Sequence, residues 1–178
     1  VMSLATFAGN NGNLLVEDPL ACHSVALKHP VLSKHELEKI RSIDTGVFQA
    51  KTLQTYFRAD GKPGSLQAGV ERLCRYAVDA VLDGFEVLVL SDRAIDSEHA
   101  PIPSLLATAA VHHHLIRKGY RGQVGIIVEA GDVWEVHHFA CLIGFGATAI
   151  NPYLAFATIR DAKNTGKLQS PLDPDHLK

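Results

Sequence analysis

Three short apolar runs constrain this chain more than anything else in it: Val87–Leu90, Val124–Val128 and Ala147–Ile150. Each is too short for a buried helix, and each is rich in β-branched or small apolar residues. The runs are separated by segments of helical length. Strands joined through such crossovers run parallel, with right-handed connections. Each run ends in polar residues: Ser91-Asp92-Arg93, then Glu129, then Asn151 followed by Pro152 and Tyr153. Parallel βα units bring strand ends to one face, and folds of this kind keep their sites there.

The flanking sequence extends the pattern. Phe48 to Phe57 (FQAKTLQTYF) partly alternates and reads as a first strand. Asp60-Gly61-Lys62-Pro63-Gly64 is a turn, and Ser65 to Asp83 has helical apolar spacing closed by Gly84. Pro101 and Pro103 open a helix that stops at Gly119. Asp132 is placed to cap a helix ending at Gly144, and Pro152 begins another. The order is β-α-β-α-β-α-β-α. The fold class is therefore α/β, with repeated βα units and parallel strands, either a half-barrel or a small open sheet. Upstream, Ser33 and Glu36 form a capping box for ELEKIRSI. The expected organisation is a flexible lead over 1–13, an α/β domain over 14–160 and a loose tail over 161–178.

Composition narrows the function classes. Hydrophobic residues make up 47% of the 178-residue chain, which suits one globular domain with its own core. Net charge is −2, and Lys and Arg are scattered, so a nucleic-acid face is disfavoured. No apolar run approaches the roughly 20 residues that span a bilayer, and no secretory leader stands at the start, so a cytoplasmic protein is expected. Cys22, Cys74 and Cys141 are far apart and form no CxxC pair, which suits thiols in a reducing compartment.

Catalytic motifs are scarce. There is no nucleophile elbow and no P-loop. Gly144-Phe145-Gly146 precedes a strand instead of following one, so it reads as an αβ loop and not a dinucleotide fingerprint. His112-His113-His114 and His137-His138 are adjacent residues, which point about 100° apart on a helix and cannot meet at one metal. The better candidates are the strand-end residues Ser91, Asp92, Arg93, Glu129, Asn151 and Tyr153. They admit two readings: a site that orients a polar ligand, or a salt-bridged network that holds loops or docks a neighbouring domain. The frequency of structural ion pairs favours the second. A free-standing small-molecule binder or enzyme using this face is the alternative.

The segments VLVLSDR, APIPSLLATAAVHHHLIRKG and VEAGDVWEVHHFACLIGFGATAINPYLAF, with HPVLSKHELEKIRSIDTGVFQAKTL upstream, resemble the central domain of the glutamate synthase large chain. The likeness runs roughly from Leu14 to Arg160. It implies a rudimentary barrel that joins a glutaminase domain to an FMN-binding domain. The parent enzyme makes glutamate from glutamine and 2-oxoglutarate, carries FMN and an iron–sulfur cluster, and passes ammonia along its interior. The family's glutaminase uses an N-terminal Cys, and this chain begins Val1-Met2-Ser3, so no catalytic, cofactor or metal residue transfers to it. The strand-end set then becomes an inter-domain or channel-facing surface. An exposed apolar patch that supports self-association is also expected.

Overall fold

The three apolar runs and the strand before them line up in chain order. A computed structural model describes residues 3–12, 15, 24–43 and 48–168. Its central sheet has the order β3 (Ala50–Gln54), β5 (Val87–Ser91), β7 (Gly125–Glu129) and β8 (Ala149–Asn151). Every neighbouring pair is parallel. Helices α2 (Ser65–Leu82), α3 (Ser104–Lys118) and α4 (Val136–Gly144) make the crossovers, and α5 (Tyr153–Asn164) follows β8. The order ends at β3 and β8 without closing, so the sheet is half a barrel and not a ring. Among the described residues no helix is long and apolar enough to cross a membrane.

Alternation along the strands divides the core in two. Leu88, Leu90, Ile126, Val128 and Ile150 pack with Leu73, Ala77, Val111 and Leu115 of the helices. Val87, Val89, Ile127 and Ala149 face the other way, onto Ala8, Leu27, Leu37 and Ile40. That second layer comes from β1 (Thr6–Gly9), β2 (Ser24–Leu27) and α1 (Lys34–Ser42). With both faces covered, a strand needs apolar residues at every position, which explains the unbroken runs. Ser33 and Glu36 form the expected capping box at the start of α1.

Several boundaries differ from expectation, each for a local reason. The strand anticipated over Phe48–Phe57 divides at Thr55. Thr55 donates its N–H to the Ser91 carbonyl and accepts from the Ile102 N–H, so it bridges two partners. Beyond it, β4 (Tyr56–Arg58) leaves the main sheet and pairs antiparallel with β6 (His99–Pro101). Pro101 therefore ends a strand, and Pro103 alone stands at the start of α3. Asp132 does not cap α4. Its Oδ2 accepts from the Ser104 N–H at 3.0 Å and caps α3 instead. Glu135 and His138 form the capping box of α4.

The stretch expected to be a flexible lead contains β1, which pairs antiparallel with β2. Gly125 explains how β1 comes so close to the sheet: a Cβ there would lie 2.9 Å from the Gly9 nitrogen and 3.1 Å from the Ala8 Cα. Only a residue without a side chain allows that approach. At the other end, α5 continues to Asn164, four residues into the expected tail. Cys22 and residues 169–178 lie outside the described residues.

Candidate strand-end site

The sheet register brings the strand-end residues together. Ser91 lies opposite Glu129, and Glu129 opposite Asn151. Two-residue alternation points all three towards the α1 side, in line with Val89, Ile127 and Ala149. Glu129 is the centre of the cluster and is only 3% exposed. Its Oε2 accepts from Arg41 Nη2 at 2.7 Å and from Ser91 Oγ at 2.7 Å. Its Oε1 faces Arg93 Nε at 3.2 Å. Arg41 also donates Nε to Thr52 Oγ1 and Nη1 to Glu38. Asn151 donates Nδ2 to the Leu32 carbonyl at 2.7 Å, which ties β8 to the turn before α1.

Asp92 turns to a different set of partners. Its Oδ2 accepts from the Gly131 N–H at 2.8 Å and from the Tyr153 hydroxyl. Its Oδ1 is buried without a hydrogen-bond partner. Burial pushes the Asp92 carboxyl above its ordinary range. Burial, with the Asp92 carboxylate beside it, pushes the Tyr153 hydroxyl up to about 12. The Arg93 guanidinium lies 4.3 Å from the centre of the Tyr153 ring, a cation–π distance. Gly131 permits this crowding, since a Cβ there would meet the Tyr153 hydroxyl at 3.0 Å.

All six expected residues therefore converge, and the cluster also holds Arg41, Thr52 and the Gly131 amide. Around Glu129 the cluster is occupied with itself, while Asp92 Oδ1 is left without a partner. Ser91 donates its hydroxyl to a carboxylate that also accepts from Arg41 and faces Arg93, so that hydroxyl is committed to a structural hydrogen bond. The space bounded by Thr55, Leu90, Asp92, Ser104, Val128 and Glu129 is too narrow for a water molecule. Arg93, with a side chain 45% exposed, is the charged member that solvent reaches best.

The histidines lie elsewhere and do other work. His112 Nδ1 accepts from Arg121 Nε at 2.9 Å, at the opposite end of the strands. The same guanidinium donates to the Val124 and Gly146 carbonyls, at 2.6 and 2.8 Å. It thereby clamps the two turns that lead into β7 and β8. Burial first, then Arg121, holds the His112 imidazole below its usual range, as expected of a ring that must accept from an arginine. His138 caps α4, and His137 Nε2 sits 3.5 Å from Cys141 Sγ. Among the described residues no three His, Cys, Asp or Glu side chains are grouped to hold a metal.

Comparison with known proteins identifies the family to which this α/β chain belongs. Residues 1–177 match the family described as the glutamate synthase central domain. The chain is 45% identical over 162 residues to the ferredoxin-dependent glutamate synthase of Pyropia yezoensis, covering 90% of this chain and 10% of that protein. It is 40% identical over 168 residues to the glutamate synthase [NADPH] large chain of Bacillus subtilis, covering 94% and 11%. It is 37% identical over 162 residues to the glutamate synthase [NADH] of Schizosaccharomyces pombe, covering 89% and 8%. The chain thus spans about a tenth of the length of these relatives. A family match across almost every residue, on the α/β layout its sequence implies, leaves one assignment: this chain belongs to the glutamate synthase central domain family.

Proposed function

We propose that this chain is a scaffold that joins the glutaminase and FMN-binding domains of a glutamate synthase and supplies no catalytic group of its own. The observation that carries this reading is the strand-end cluster. In a half-barrel this is the face where chemistry is normally placed. Here its central carboxylate is held between Arg41 and Arg93, and its hydrogen bonds are made within the domain. Arg93 and the Tyr153 ring form the accessible rim of that face, and they are what it offers to an adjoining domain or to an ammonia path.

FMN and an iron–sulfur cluster belong to other domains in this reading, and they would supply the reducing chemistry there. Cys74 lies buried on α2 and Cys141 on α4, so the described cysteines do not form a cluster set. The relatives' names include ferredoxin, NADPH and NADH forms, so the central domain accompanies every type of electron donor in their names. Unpaired thiols at Cys74 and Cys141 suit a reducing compartment, and we assign the chain to the cytoplasm.

The test is to incubate the chain separately with glutamine, 2-oxoglutarate and FMN, following ammonia release, thermal stability and the flavin spectrum. No turnover, no shift in melting and no bound-flavin spectrum are expected. Glutamine hydrolysis, or a saturable shift with any of the three, would move the assignment to the rival small-molecule site.

A further inference from the structure

The outer faces of the crossover helices are not alike. On α2 a charged stripe, Glu71, Arg75 and Asp79, runs along the exposed side at helical spacing, and the exposed Leu66, Tyr76 and Leu82 are scattered singly around it. The equivalent stripe on α4 is Val136, Ala140 and Ile143, spaced i, i+4 and i+7, and all three are exposed. Val136 is 86% exposed. Trp134 and Phe145, at the two ends of the helix, are 49% and 44% exposed. The sequence of α4, VHHFACLIG, contains no Asp, Glu, Lys or Arg, and Leu142 is its one buried residue.

This is not core left bare by poor packing. Leu142 already seats the helix in the core, and Phe139 packs against the same cluster. The exposed stripe adjoins that seated side and continues the apolar surface outward, since Phe139 stands three residues from Val136 and four from Ile143. Apolar side chains clustered over residues 134–145 of a water-facing layer mark an interaction surface more often than chance exposure. Ala140 between two β-branched residues sets a small side chain between two larger ones, the alternation that ridge-into-groove helix packing uses.

We propose that the outer stripe of α4 is the docking surface for an apolar helix face of another domain of the same polypeptide. Two observations choose that occupant. The relatives carry this stretch within chains about ten times its length, so neighbouring domains are present at high effective concentration. The stripe carries no charge, so the face it accepts is apolar and uncharged. The proposal rests on the scaffold reading and deepens it. A domain that joins two others needs two faces, and α4 supplies one besides the Arg93–Tyr153 rim.

The experiment uses two single-cysteine probes, Val136→Cys and Arg75→Cys, each in this chain and in the full-length polypeptide that carries it. Maleimide labelling is read peptide by peptide by mass spectrometry. The expected result is labelling at position 136 at least about tenfold slower in the full-length protein, with position 75 unchanged, because a docked face must open before it reacts. Ile143→Cys repeats the measurement on the same stripe should the first variant express poorly. Equal rates at position 136 in the two contexts overturn the proposal. So does protection in this chain alone that grows with its concentration, which would identify a second copy as the occupant. Glutamine-to-glutamate coupling is measured in the same full-length variants. Free labelling with coupling intact removes this surface but leaves the scaffold reading. Protection at position 136 together with catalysis by the chain alone does the reverse.

Discussion

The strand-end cluster and the outer face of α4 break the usual distribution of polarity in opposite directions. At the strand ends, charged groups are buried, and Glu129, Arg41, Arg93 and Ser91 complete one another. On α4, apolar groups are exposed, and the described residues do not cover them. A buried polar group with its bonds made describes the domain's own stability. An exposed apolar stripe describes something outside the domain. In the scaffold reading proposed above, the place where a barrel fold usually carries chemistry serves structure, and the crossover helix α4 is the outward-looking part.

The largest expected effect falls on the strand-end side. Glu129→Ala leaves two guanidiniums facing each other without their shared carboxylate. Removing one partner from a buried ion pair costs about 3–5 kcal/mol, so urea unfolding of this variant should show a midpoint far below that of the parent. A loss below about 1 kcal/mol would show that the cluster is held by solvent and not by itself. Next in size is Gly146→Ala. Gly146 has φ of 105°, and a Cβ there would collide with the His112 ring. A cost of about 1–3 kcal/mol is expected from the backbone alone, read as a lowered Tm, and more if the Arg121 clamp opens.

A smaller effect depends on pH. His112 has a folded-state pKa below its unfolded value, so the unfolded chain binds its proton more readily. Its contribution to stability is complete above the unfolded value of about 6.5 and is lost as pH falls through the folded value. Asp92 acts in the opposite sense: its raised pKa means that its charge costs stability as pH rises past the ordinary carboxylate range. Urea midpoints at pH 7.5 and 5.5 should therefore fall on acidification, and His112→Gln, which still offers Arg121 an acceptor, should flatten that difference. The smallest effect belongs to α4. Val136→Thr should change the stability of this chain by less than about 0.5 kcal/mol, because the side chain is already in water. A larger loss would mean that the stripe belongs to the domain's own core, and the contrast between the two regions would fail.

How much of this was legible in the sequence follows from how local each signal is. The parallel sheet was legible because apolar runs separated by segments of helical length must be joined by crossovers. The convergence of Ser91, Glu129 and Asn151 followed from parallel register. Arg41 was not legible, since it reaches Glu129 from 88 residues away and nothing in the spacing of ELEKIRSI marks it as a partner. Asp132 sat where a cap for α4 was expected and caps α3, because a carboxylate in a tight turn can reach either helix. Thr55 was read through as strand, because alternation does not register a change of pairing partner. The bare stripe on α4 was visible as composition, but its exposure depended on which side of the helix the core claimed.

The central claim is that this domain couples reactions it does not itself perform. Its most direct test is Arg93→Ala in the full-length polypeptide, which alters the accessible rim of the strand-end face and leaves Glu129 paired to Arg41. Glutamine hydrolysis, ammonia-dependent glutamate formation and the ratio of glutamine consumed to glutamate formed are measured side by side. Both separate reactions are expected to keep their rates while the coupling ratio worsens severalfold. Abolition of either separate reaction in a variant that remains folded would contradict the claim, and would make Arg93 part of the chemistry.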